Sequence, residues 1–308
     1  MKKSSNVWKN RRQKVPNLAC PPSRHAGGSQ PAPRRRAGLA GRQGLEKRAA
    51  GRVALVSSGF TLIELLVVVS IVGLLAALLA PALAGARQAS LRAYCASNLR
   101  QLALANYAYA TDHGSFVAAA PDIWGRNTMR WHGARAARNQ RFVMAEGPLA
   151  PYVGESGGIK ECPSFRIREP GYEAGCGGYG YNVRGVGSQA YRHGLERGAE
   201  RGMPPGGIAD PSRTVMFTDA AFLEGAQGRG RLIEYSFAEA YYHIADNRPV
   251  ETYRATPSIH FRHDGLANVV WVDGRISAET LDVRFSARHD AVGIGWFGPD
   301  DNSLFDPF

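Results

Sequence analysis

The chain of 308 residues carries a formal net charge of +12 and is 44% hydrophobic, long enough for one or two domains with a real core. The charge is lopsided: residues 1–59 hold 14 of the 38 Lys and Arg against one acid, Glu46, so residues 60–308 are close to neutral. That distribution excludes a basic folded domain, and with it the nucleic-acid partner that a basic total would otherwise suggest.

Residues 1–59 include PPSRHAGGSQPAPRRRAGLAGRQG, rich in Pro, Gly, Ala and Ser. With so little apolar periodicity this segment is expected to be a basic, disordered leader. From Leu65 to Ala84 the only polar side chain is Ser70. As a helix these residues would reach about 30 Å, the thickness of a hydrocarbon core. One transmembrane helix over 60–84 is predicted. Lys47, Arg48 and Arg52 lie on its N-terminal side, which keeps the N-terminus cytoplasmic and sends the remainder across. The triplet Ala82-Leu83-Ala84 also fits ordinary signal-peptidase cleavage, which would release a soluble protein. A charged residue inside the apolar run, Glu64, and the length of that run oppose it.

Glu64 is the anomaly. On insertion scales a carboxylate in lipid costs roughly 2.5–3.5 kcal/mol, so something must offset it. A basic leader, then Gly59-Phe60-Thr61-Leu62-Ile63-Glu64, then an apolar helix, resembles the class III signal of type IV pilins and type II secretion pseudopilins. The resemblance implies that a prepilin peptidase cuts between Gly59 and Phe60 and methylates the new N-terminus. Glu64 then becomes the fifth residue of the mature chain, and Pro81 the twenty-second, where the family often places a helix-kinking proline. It also implies that Glu64 pairs with the cationic amine of a neighbouring subunit, each charge offsetting the other's desolvation. The leader is longer than the family's usual one.

Beyond Pro81 the positions Leu91, Cys95, Leu99, Leu102, Ala105 and Tyr109 recur in steps of three or four, with Arg87, Arg92, Arg100 and Asn106 between them. An amphipathic helix is expected over 85–113, continuing the rod, with Gly114 as its C-cap. From 114 to 308 short apolar runs alternate with Gly and Pro. Arg213–Asp219, Ser258–His263 and Ala267–Val272 read as strands, and Asp273-Gly274 after the last marks a tight hairpin. The expectation is an α+β fold, pilin-like: a long N-terminal helix packed on a small antiparallel sheet.

His263, Asp273 and Gly274 stand in RHDGLANVVWVDG, which resembles the C-terminal H-X9-DG signature of a large group of prepilin-like proteins. CPS at 162–164, YGYN at 179–182 and the ending GWFGPDDNS extend that resemblance over the chain from Gly59 onward. It implies membership of that group without assigning a role.

Several constellations point to other chemistry. Gly175, Gly177 and Gly180 spell GxGxxG but lack the strand and helix that a dinucleotide site needs, so a loop is expected. His260, His263 and Asp264 contain metal-ligand types, although residues three apart on a strand face opposite ways. Cys162 and Cys176 are a candidate disulfide if the domain lies outside the cytoplasm, and free thiols otherwise. Cys95 reads as a core residue. Asp300, Asp301, Asn302 and Asp306 gather the hard oxygens that calcium prefers, a use known in some pseudopilin C-terminal loops, against the plainer expectation of a solvated acidic tail. Trp124, Trp131, Tyr152, Tyr172, Tyr179, Tyr181, Tyr241, Tyr242 and Trp296 could line a binding surface or fill the core.

No catalytic motif is present, and no enzyme activity or obligatory cofactor is expected. Together these features predict a prepilin-like structural subunit. Its partners would be a prepilin peptidase, other pilin or pseudopilin subunits and the cytoplasmic membrane. The alternative is a monomeric, membrane-tethered module that binds polysaccharide or envelope components.

Overall fold

The computed structural model describes residues 60–154, 161–165, 171–225 and 230–308. The expected leader, with Gly59 at its end, lies outside the described residues. The fold is α+β: one long apolar-to-amphipathic helix followed by a small, mostly antiparallel sheet domain. Helix α1 runs from Leu62 to His113, so the expected spanning and amphipathic segments are one continuous element. Gly114 ends it as predicted, in the left-handed region at φ 75°, its N–H bonded to the Ala110 carbonyl. Pro81 sits inside the helix, where it cannot donate to the carbonyl one turn back.

The sheet comprises β1 (Tyr179–Asn182), β2 (Val215–Asp219), β3 (Phe237–Ala238), β4 (Leu266–Trp271) and β5 (Ile276–Thr280), in the order β5-β4-β2-β1-β3. All neighbours are antiparallel except β1 and β3. The β4–β5 hairpin closes at Asp273-Gly274, as expected. Gly274 takes φ +86°, its N–H bonds the Trp271 carbonyl, and Trp271 N–H bonds Arg275 O, a three-residue loop that only a residue tolerant of positive φ completes.

Strand alternation divides the domain into two cores. Val270 and Val272 face α1, where they join Cys95, Leu99, Leu102, Tyr179, Tyr181 and Phe217. Ala267, Val269 and Trp271 point the other way, onto Ile259, Trp296, Phe297 and Phe305. The sheet is therefore covered on both faces. Burying Leu99 and Leu102, each at most 1% exposed, contributes roughly 1.5–3 kcal/mol apiece to the docking of α1.

Two asparagines on α1 lie inside that interface. Asn106 was expected between the apolar positions with the arginines; instead it is fully buried, donating to Tyr181 Oη at 3.0 Å and accepting Val117 N–H at 2.9 Å. Asn98 likewise donates to Tyr179 Oη at 2.9 Å. The helix thus uses hydrogen bonds as well as apolar side chains to fix its register on the sheet. Tyr107 adds a bond from its hydroxyl to the Val272 carbonyl.

Most of the singled-out aromatics are structural. Trp131, Tyr179, Tyr181, Tyr241 and Trp296 are buried, whereas Trp124 and Tyr172 keep substantial exposure. The glycine run leads into a strand, β1, with Gly175 and Gly177 at positive φ in the turn before it. That is the opposite of the strand-to-helix context of a phosphate loop.

Candidate processing and assembly site

The N-terminal end of α1 is organised by a reciprocal cap. Thr61 is the N-cap, extended at φ −77° and ψ 149°. Its Oγ1 accepts the Glu64 N–H at 3.3 Å, and the Glu64 carboxylate accepts the Thr61 N–H at 2.9 Å and the Thr61 hydroxyl at 2.7 Å through Oε2. This is a capping box: it satisfies two backbone donors that a helix start leaves orphaned. The signal for it, Thr-x-x-Glu just ahead of an apolar run, stands in the sequence. The carboxylate therefore has a partner in its own chain, one residue from the position of Phe60.

Every residue from Phe60 to Ser90 is exposed in the isolated chain. Leu62, Ile63, Val69, Leu74, Leu78 and Leu83 are each at least 62% exposed. The helix is long and apolar enough to cross a membrane, and none of its most apolar stretch is covered by the domain. Ser70, the one hydroxyl of the stretch, bonds the Leu66 carbonyl at 2.8 Å, so it brings no unsatisfied donor into an apolar surround. Ala82, Leu83 and Ala84 lie within the helix, which continues without interruption beyond them.

The signature residues His263 and Asp273-Gly274 do not form one site. They lie at opposite ends of β4, whose six residues span about 20 Å. Asp273 Oδ1 accepts the Arg275 N–H at 2.8 Å and shapes the hairpin. His263 enters through a second Asp-Gly turn. Asp264 and Gly265 take φ 56° and 81°, and His263 and Leu266 exchange backbone bonds of 3.0 and 3.1 Å, a two-residue loop with the positive φ values of a type I′ turn.

That turn aims His263 into a buried group. Its Nε2 lies 3.3 Å from Asp219 Oδ2 and 3.7 Å from Cys162 Sγ. Asp219, the last residue of β2, also accepts Asn268 N–H and Nδ2 at 2.8 and 3.0 Å, and the Arg262 guanidinium stands 3.8 Å from its other oxygen. Burial by itself would lower His263, but Asp219 and Cys162 raise it to about 9. The Cys95 sulfur lies 2.8 Å from that of Cys162. With Cys95 as donor and His263 and Arg262 alongside, Cys162 is drawn down to about 5 despite burial; the bond to Cys162 and burial push Cys95 up.

This geometry also places the other candidate residues. The thiol that Cys162 faces belongs to Cys95, while Cys176 lies apart with its sulfur 3.7 Å from Glu234 Oε2, and all three are free cysteines here. His260 packs edge-on against Phe165 and Asp264 occupies the turn, so neither joins His263 around a common point. Asn302 is turned inward: its Oδ1 accepts Tyr242 N–H at 2.7 Å and its Nδ2 donates to Tyr191 Oη and Tyr242 O. Asp301 and Asp306 accept the Ser303 and Phe308 N–H groups. The calcium candidates, Asp300 included, therefore lose Asn302 as a shared oxygen donor.

Residues 56–80 match the family model of the prokaryotic N-terminal methylation motif. The match covers Phe60, Thr61 and Glu64 and ends one residue before Pro81. The chain thus carries a prepilin-like class III signal, with a helix apolar enough for membrane anchoring directly behind it. No curated protein and no solved structure matches the chain.

Proposed function

We propose that this chain is a prepilin-like structural subunit, cut by a prepilin peptidase between Gly59 and Phe60 and methylated at Phe60. It is held by one helix in the cytoplasmic membrane with residues 114–308 outside the cytoplasm, and it assembles side by side with like subunits into a pilus-like or pseudopilus filament. The observation that carries this reading is the methylation motif at 56–80 placed directly on a helix whose first 29 residues are exposed in the isolated chain. A bare apolar face of that length must be covered by lipid, by other helices, or by both. The signature at His263, Asp273 and Gly274 supports placement among the prepilin-like proteins that share it.

Processing creates an amine at Phe60, cationic near neutral pH, one residue from Thr61, whose N–H and hydroxyl the Glu64 carboxylate accepts. When helices lie side by side, the carboxylate of one subunit can take the amine of the next, and each charge loses the cost of standing alone in lipid. The mechanism is thus positional and requires no turnover.

Protease access in spheroplasts combined with shearing tests this reading. Externally added protease is expected to remove residues 114–308 while α1 stays with the membrane, and the sheared fraction of untreated cells is expected to contain the mature chain. A domain that is protected in intact spheroplasts and degraded only after lysis would contradict it. A monomeric, membrane-tethered binding module is the rival; the burial of Trp131, Tyr179, Tyr181, Tyr241 and Trp296 removes most of the aromatic surface it would need.

A further inference from the structure

We infer that Cys95 and Cys162 form a disulfide in the mature protein, a covalent strap between the outer half of α1 and the sheet domain that docks on it. The pair is set up from two directions. Cys95 lies on the buried stripe of α1 with Asn98, Leu99 and Leu102. Cys162 is presented by a short loop anchored through its own N–H to the Gly177 carbonyl at 2.9 Å, and its carbonyl takes the Phe165 N–H. The sulfurs meet at 2.8 Å, well inside the roughly 3.5–4.0 Å at which unbonded carbon atoms settle, and sulfur is the larger atom.

Two other uses of the same group fit less well. Cys95, Cys162 and His263 bring three ligand atoms within 4.8 Å of one another, a set that suits zinc. Tetrahedral zinc with bonds of about 2.3 Å, however, holds two sulfurs roughly 3.8 Å apart, and at 2.8 Å no ion fits between them. Cys162, His263 and Asp219 also fall in the order of nucleophile, base and orienting acid. At 1%, 3% and 0% exposure, none of them meets a substrate.

The chemistry is thiol–disulfide exchange with an extracytoplasmic oxidant that itself carries a disulfide. The Cys162 thiolate attacks one sulfur of that disulfide and displaces the other, which takes up the proton Cys162 gave away. Cys95 sulfur then attacks Sγ of Cys162, expels the oxidant's second sulfur and passes its own proton to it. Two protein thiols become one disulfide, and the oxidant leaves as a dithiol. Burial of both sulfurs places the exchange before α1 finishes docking, and the closed fold then shields the bond from reductants. The separation of 67 residues along the chain makes this a long-loop closure, the kind that removes most entropy from the unfolded chain.

The inference rests on the extracytoplasmic placement proposed above, since a cytoplasmic chain would be kept reduced. The full chain is solubilised from membranes in detergent without reductant, its free thiols are alkylated, and tryptic peptides are weighed. A second sample is unfolded and reduced, then refolded in a glutathione redox buffer. The expected result is Cys95 and Cys162 peptides joined in both samples, with Cys176 alkylated. Reductant should lower the melting temperature by about 10 °C, and the Cys95→Ala/Cys162→Ala variant should show no reductant effect. Thiols free in the cell-derived sample but joined on reoxidation would overturn the placement, and with it the bond in cells. Thiols free in both samples, or reduced sulfurs with one zinc bound per chain, would overturn the disulfide itself.

Discussion

Glu64→Gln is expected to leave the chain processed and in the membrane but to cut its recovery in filaments about 100-fold. Glutamine is the informative replacement because the helix start has two uses for residue 64. The capping box needs only an acceptor for the Thr61 N–H, and glutamine supplies one. The proposed contact with a neighbour's amine needs the negative charge. Losing that charge strands a cation in lipid, at roughly 2.5–3.5 kcal/mol, which is about two powers of ten in an equilibrium constant. Glu64→Ala removes both functions and should be at least as defective. If Glu64→Gln enters filaments like the parent while Glu64→Ala does not, the carboxylate is a helix cap and the charge-pair mechanism is wrong.

Arg130→Met is expected to lower domain stability by about 3–5 kcal/mol, the usual cost of breaking a buried pair from one side. Arg130 Nε and Nη2 bond the Glu173 carboxylate at 2.9–3.1 Å, Ser236 Oγ donates to it at 2.7 Å, and both partners are 2% exposed. Burial would raise Glu173, but His132, Arg130 and Ser236 hold it down to about 2, against an ordinary value of 4.5. Between those two values the unfolded chain carries a proton that the folded one lacks. The contribution is therefore complete above about pH 4.5 and is lost as pH falls toward 2. Thermal denaturation of the detergent-solubilised full chain from pH 7 to pH 3 checks this. The parent should lose stability below pH 4.5, whereas Arg130→Met should start lower and change less. Adding Glu173→Gln to Arg130→Met should recover part of the loss by removing the stranded charge. A single variant as stable as the parent at pH 7 would show that the pair contributes nothing.

The parts of the fold that the sequence discloses are those set by neighbouring residues. The apolar run at 65–84, the 3.6-residue stripe from Cys95 to Ala105, the Gly114 cap and the Asp273-Gly274 turn each depend on a dozen residues or fewer, and each stands in the structure as expected. Two further local signals stand in the sequence: Thr61-x-x-Glu64, and the second Asp-Gly at 264–265. Both determine what a candidate residue does, the first by giving Glu64 a partner and the second by aiming His263. What local pattern cannot disclose is pairing across the fold. Asp219 reaches His263 and Asn268 only because β2 and β4 are sheet neighbours. Asn106 looked like a solvent residue because its partners, Tyr181 and Val117, lie on other elements. Spacing alone leaves Cys162 and Cys176 open between a disulfide and free thiols, whereas the helix brings Cys95, 67 residues away, to face Cys162.

On the mechanism proposed above, assembly depends on a charged N-terminus that proteolysis creates at Phe60 and that the Glu64 carboxylate of a neighbouring subunit holds. Weighing the intact protein and its N-terminal peptide, from membranes of cells that carry a prepilin peptidase, tests this most directly. The predicted first residue is Phe60 with a methyl group on its amine. A chain beginning at Gly85, or one still carrying residues 1–59, would contradict it.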